Sequence, residues 1–103
     1  MAKRIEVIPW AEDDPPTEEV LRRRLEDEGY NVFYWQDAPG ADYAPHSHER
    51  DESLWLITGE MALAAAGKKY RLHPGDRLML PKGTVHTAHA GAAGCVYLIG
   101  ELP

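Results

Sequence analysis

Four side chains in this sequence have the types and spacing to hold a metal ion. His46 and His48 stand two apart in a run that reads as a strand, so both imidazoles leave the same face and can converge on one point. Glu52, four residues further on, shares that parity if Glu49-Arg50-Asp51 stays extended or turns tightly, and it adds an anionic oxygen. His86 follows Pro81-Lys82-Gly83, a tight turn that can swing it inward from another strand. Three imidazoles and one carboxylate suit a divalent transition ion (manganese, iron, cobalt, nickel, zinc or copper) better than magnesium or calcium, which prefer oxygen. An octahedral ion so held keeps two positions open for water, oxygen or a chelating substrate. Only neutral histidines bind, so acid should release the ion. A satisfied polar core without metal is the plainer use of the same residues.

The surroundings of these four follow from strand parity. Leu54 and Leu56 share the parity of Glu52 and should line an apolar interior, with Trp55 and Ile57 on the opposite face. Of Leu78, Met79 and Leu80, at least one should join that lining, and Met79 is the candidate. Tyr43, Tyr34, Trp35 and Tyr97 could each present a polar tip at the mouth, plain packing being the simpler reading. Arg50, between two ligand positions, is the residue placed to meet an anionic substrate, unless it is an ordinary solvated arginine. His89 is three from His86 and so of opposite parity, a rim histidine rather than a base, and His73 before Pro74 reads as a turn residue. No general base stands out, which favours chemistry centred on an ion.

Composition narrows the class. At 103 residues the chain builds one domain, and 44% hydrophobic with 27% charged residues is a globular balance. A net charge of -6 leaves no basic surplus for nucleic acid or anionic lipid. No apolar run approaches a membrane span, and Met-Ala-Lys-Arg-Ile-Glu-Val lacks the apolar core of a signal peptide, so a cytoplasmic location is expected. The single Cys95 lies in an apolar run without a nearby cation and reads as a buried, inert thiol.

The elements that must position the site are mostly short strands. Residues 4 to 10 suit an edge strand ending at a proline. Thr17 can cap a helix with Glu18 and Glu19 in its first turn, closed by Gly29, with Val20, Leu21 and Leu25 as its apolar stripe. Glu18 with Arg22 and Glu19 with Arg23 are spaced to pair, so Arg22-Arg23-Arg24 reads as a solvated face. From Tyr30 the pattern turns to β-rich runs broken by Gly, Pro and Asp: Tyr30 to Gln36, Tyr43 to His48, Glu52 to Thr58, Glu60 to Ala65, Lys69 to His73, Arg77 to Leu80, Val85 to Ala90 and Cys95 to Leu102. Residues 1-29 are thus an N-terminal strand and helix packed on a barrel formed by 30-103. Trp55 and Ile57 should cover a second sheet or a partner subunit, and a homodimer is expected.

The spacing of the site residues resembles the cupin signatures. Gly40 is followed after five residues by His46-Ser47-His48, after three more by Glu52 and after six by Gly59. The second signature is matched by Gly75, Pro81-Lys82-Gly83 and His86, departing only where Ala90 replaces an asparagine. The resemblance covers about half the chain. It implies an all-β, RmlC-like double-stranded β-helix, or jelly-roll barrel, with the short N-terminal helix beside it, a metal inside on these four residues, and frequent dimerisation. The function expected from it is a metal-dependent enzyme, dioxygenase- or isomerase-like, acting on a small oxygen-bearing molecule. A non-enzymatic module binding or sensing a small ligand or the metal is the alternative.

Overall fold

The computed structural model describes residues 4-103; the first three residues of the expected 1-29 segment lie outside them. The elements run β1 (Glu6–Ile8), α1 (Glu18–Asp27), β2 (Asn31–Asp37), β3 (Asp42–His46), β4 (Glu52–Ala65), β5 (Lys68–Leu72), β6 (Arg77–Leu80) and β7 (His86–Glu101). All strand pairs are antiparallel, in the order β1-β6-β4-β7-β2, with β3 added on β7 and β5 on β4. The all-β barrel with one short helix is therefore present.

Two expected breaks are absent. Glu52 to Thr58 and Glu60 to Ala65 are one strand, β4, and Val85 to Ala90 and Cys95 to Leu102 are joined in β7. The glycines between them act as bends rather than hairpin turns. Gly59 (φ +81°) and Gly94 (φ +74°) take left-handed backbone, and the β4–β7 register shifts around Leu56/Thr58 and Gly59/Met61. Each long strand therefore serves two sheets. The first half of β4 pairs with β6 and its second half with β5. The last part of β7 pairs with β2 and its first part with β3.

Alternation sorts the side chains into two cores. Leu54 and Leu56 go inward with Met61, Leu63, Leu72, Leu78 and Tyr97. Trp55 and Leu98 go outward and are covered by Leu21 and Leu25 of α1, with Ile57 partly buried beside them. The partner for Trp55 is thus the chain's own helix, not a second sheet or subunit. Thr17 caps that helix, its hydroxyl accepting from the Val20 N–H at 3.3 Å, and Gly29 follows its end at φ +94°. Val20 is 41% exposed and drops out of the expected stripe, because Leu21 and Leu25 alone reach the sheet.

Arg77, which no motif singled out, pins the helix end. Its guanidinium donates to both carboxylate oxygens of Glu28 at 2.9 and 3.0 Å, and its Nε donates to Ser53 Oγ at 2.5 Å. The same group lies 4.7 Å over the Trp55 ring. The other arginines stay at the surface, Arg22 on Glu18 and Arg24 on Glu12.

The bends set the first prediction. A Cβ at Gly59 would lie 2.1 Å from the Gly94 carbonyl oxygen, whereas at Gly67 (φ +77°) it would meet nothing within 4 Å. Urea unfolding should give a loss of about 1 kcal/mol for Gly67→Ala, from backbone strain alone. Gly59→Ala should lose about 3 kcal/mol or more, because a backbone clash is added to the strain.

Candidate metal centre

The bends turn the two sheets face to face, and the ends of three strands meet at the open side. His46 is the last residue of β3, Glu52 the first of β4 and His86 the first of β7. His48 lies beyond β3 in the connecting loop rather than on the expected strand, and that loop is held by the Gly83 N–H donating to the His48 carbonyl at 2.8 Å. The imidazole centroids are 4.3 Å apart for His46 and His86, 5.1 Å for His46 and His48, and 5.3 Å for His48 and His86. One ring nitrogen from each falls within 4.8 Å of the other two.

The donor set fits a divalent ion in tautomer as well as in spacing. His46 Nδ1 lies 2.7 Å from the Ala44 carbonyl and His86 Nδ1 lies 2.9 Å from the Thr84 carbonyl. A carbonyl only accepts, so each Nδ1 carries the proton and each Nε2 keeps its lone pair. Burial pushes the His48 and His86 pKa values below the usual imidazole range, and the neighbouring imidazoles push the same way. Neutral rings are the form a metal takes.

Glu52 lines the same cavity, 5% exposed, with its carboxyl oxygen 3.4 Å from His48 Nδ1. It stands outside the three-histidine cluster and hydrogen-bonds Glu101. Burial, that bond and the Glu101 charge push its pKa up to about 8. Glu101 was not visible from spacing, since only strand pairing puts it opposite Glu52.

The cavity behind the histidines measures about 170 Å³ and is walled chiefly by Trp35, Leu54, Met61, Leu63, Leu80 and Ile99. Tyr43 and Tyr97 also line it. Among the described residues no lysine or arginine does. Three expected lining residues lie elsewhere. Leu56 is fully buried in the core instead. Met79 has the wrong parity and faces a separate depression with its sulfur against Ser53 Oγ; its neighbour Leu80 takes the expected place. Arg50 turns away to the Leu102 carbonyl at 3.4 Å and to Glu101 at 3.9 Å, so it does not meet a ligand in this cavity. Tyr34 lies on the outer face, 48% exposed.

The chain end of β2 supplies a group that sequence reading missed. Asp37, 7% exposed, accepts the hydroxyls of Tyr43 at 2.5 Å and Tyr97 at 2.7 Å, with the Cys95 thiol at 3.9 Å. Both phenol pKa values rise, that of Tyr43 mainly through the Asp37 bond and that of Tyr97 mainly through burial. Cys95 is pushed up to about 11, mainly by burial. His89 sits at the rim against Asp42, and His73 in the β5–β6 turn near Asp76.

A family model described as the cupin domain matches residues 33–99. The chain belongs to the cupin domain family. Solved cupin-like structures agree with its fold. The chain is similar to KdgF from Halomonas sp. at 27% identity, over 70% of this chain and 67% of that one, with a TM-score of 0.61. Protein NMB1881 from Neisseria meningitidis shares 27% identity over 73% of this chain and 76% of that one, at a TM-score of 0.64. A cupin-2 domain containing protein from Shewanella frigidimarina, at 22% identity over 73% and 72% of the two chains and a TM-score of 0.64, shows the fold alone. No curated protein is significantly similar to this chain. In this cupin, no helix among the described residues is long and apolar enough to cross a membrane.

Two measurements follow from these environments. Folded Glu52 keeps its proton up to about pH 8, whereas an unfolded glutamate ionises near 4.5. This residue therefore favours the metal-free fold in full below pH 4.5, and that contribution is lost as pH rises to about 8. Glu52→Gln should gain thermal stability relative to the parent between about pH 5 and pH 8, the histidine terms being common to both. At pH 8 roughly one Cys95 in a thousand is thiolate, and the side chain is 4% exposed. Alkylation of the native chain should be at least a hundredfold slower than of the urea-unfolded chain.

Proposed function

We propose that this cupin binds one divalent transition metal through His46, His48 and His86, with Glu52 as fourth ligand. We propose further that it is an enzyme transforming a small, largely apolar, oxygen-bearing molecule by dioxygenase- or isomerase-like chemistry. The observation that carries this reading is the convergence of three imidazoles, two with Nδ1 on backbone carbonyls and Nε2 left free, at the head of an apolar cavity. When bound, such an ion supplies Lewis-acid polarisation of a substrate oxygen or a site for dioxygen.

The chain's own residues have separate parts to play. His46 is oriented by a carbonyl of its own strand, His86 by one in the segment just before β7, and His48 by its loop, so the ligand set needs little rearrangement. Glu52 would exchange its bond to Glu101 for the ion and give up its proton on doing so. The apolar walls exclude water, and about 170 Å³ accommodates a body near the size of benzene. A wall without lysine or arginine among the described residues favours a neutral substrate over an anion.

One observation favours the alternative of a non-enzymatic binding or sensing module. The two phenols on the cavity wall have already committed their protons to Asp37, which leaves no free acid or base besides the ligands among the described residues that line the cavity.

Elemental analysis and calorimetric titration with manganese, iron, cobalt, nickel, copper and zinc should give one ion per chain. His86→Ala should weaken binding at least tenfold, while His89→Ala leaves it unchanged. Oxygen uptake or product formation with catechols, thiols or diketones would place the chain among enzymes; metal binding without turnover across that panel would place it among binding modules. Equal metal content in His86→Ala and the parent would remove the ligand assignment.

A further inference from the structure

β4 lies along one side of β7 from Glu101 back to His86, so β2 and β3, which also pair with β7, share its other side. β2 pairs with residues 95–101 and β3 with residues 86–89, and the two do not pair with each other among the described residues. They are tied near the bend, where the Tyr43 hydroxyl donates to Asp37. Beyond that tie the barrel wall has a seam between two strand edges, running toward His46 at the end of β3.

Strand alternation puts Phe33 and Trp35 on the cavity side of β2, because their partners Ile99 and Tyr97 line the cavity. Further into the same sheet rows the side chains are covered, Tyr97 at 4% exposed and Leu54 at 8%. Phe33 and Trp35 are 49 and 46% exposed although they face inward. β3 is the edge of the opposing sheet on this side, and both aromatic side chains stay half open to solvent beyond it. Trp35 lines the cavity and reaches solvent at once, so the cavity runs out through the seam onto an apolar shelf of indole and phenyl.

The cavity alone takes a body near the size of benzene, and a longer molecule held at the histidines has to leave it somewhere. We propose that Phe33 and Trp35 form a second binding subsite, for a flat aromatic extension of a neutral ligand whose oxygen-bearing head lies at the histidines. This rests on the reading of the cavity as a ligand site. A ring laid on the shelf stacks on indole and phenyl and removes both from water. Tyr34, 48% exposed on the opposite face of the same strand, takes no part. A strand added along the β2 edge would meet Tyr34 as well, whereas a ligand leaving the cavity meets Phe33 and Trp35 alone.

Calorimetric titration of the full chain, metal-free and zinc-loaded, with phenol and with para-phenylphenol tests this. The two-ring phenol should bind about tenfold more tightly than phenol, through burial of its second ring. Phe33→Ala should cut that ratio to about threefold or less with the affinity for phenol unchanged, since Phe33 lies outside the cavity wall. Tyr34→Ala should keep the parent's ratio. Zinc that fails to bind defeats the metal reading separately, because the ratio compares ligands with one head and is read on the metal-free chain too. A ratio near one, or no measurable binding of para-phenylphenol, overturns the subsite. So does a ratio that Tyr34→Ala lowers as much as Phe33→Ala does, the mark of nonspecific adhesion to the edge. If Phe33→Ala fails to fold, the parent's side-chain resonances decide. Those of Phe33 and Trp35 should shift more with para-phenylphenol than with phenol, and equal shifts overturn the proposal.

Discussion

The close backbone approach at the bends of β4 and β7 is the constraint on which this molecule depends. Gly59 faces the carbonyl of Gly94, and a Cβ on Gly94 would in turn lie 2.5 Å from the carbonyl of Asp37. Three segments stack here at a spacing that only bare backbone allows. Because both long strands fold at this level, the halves of each face one another and their distal ends return to a common opening. His46 at the end of β3 and His48 just beyond it are remote in sequence from His86 at the start of β7, and they converge because the strands double back.

The interior between the sheets handles its ionisable groups in two ways. At the bend end, Asp37 is buried with no cation beside it among the described residues, and two phenol hydroxyls donate to its carboxyl group and offset the cost of burying it. At the open end, Glu52 meets a second acid and reduces the cost by keeping its proton, while His48 and His86 stay neutral. Between these ends the walls are apolar. An entering cation would find neutral nitrogen donors and one carboxyl able to become an anion, so the open end is the part of the cavity suited to positive charge.

Much of this was legible in the residues. Strand alternation placed Leu54 inward and Trp55 outward, and the spacing of Gly40, His46, His48, Glu52, Gly59, Gly75 and His86 located the site before any pairing was known. What could not be read depended on contacts between distant segments. The carboxyl pair of Glu52 and Glu101, the phenol pair on Asp37, and Arg77 on Glu28 arise from register, which no local pattern encodes. Arg50 misled because adjacency in sequence to two ligands does not carry over to a loop residue, whose side chain turns to the C-terminal strand. Gly59 misled because a glycine that ends a hairpin and one that bends a continuous strand look alike until the partner strand is known.

The family match begins at residue 33, after the helix. Yet the outer sheet face beneath that helix holds Trp55 and Leu98, and Arg77 finds both carboxylate oxygens it binds on Glu28. An expression fragment trimmed to the matched region would leave an indole, a leucine and an otherwise buried guanidinium bare on one side. The unit that keeps this face covered is therefore larger than the region the family model matches, and the N-terminal helix is the lid on the difference.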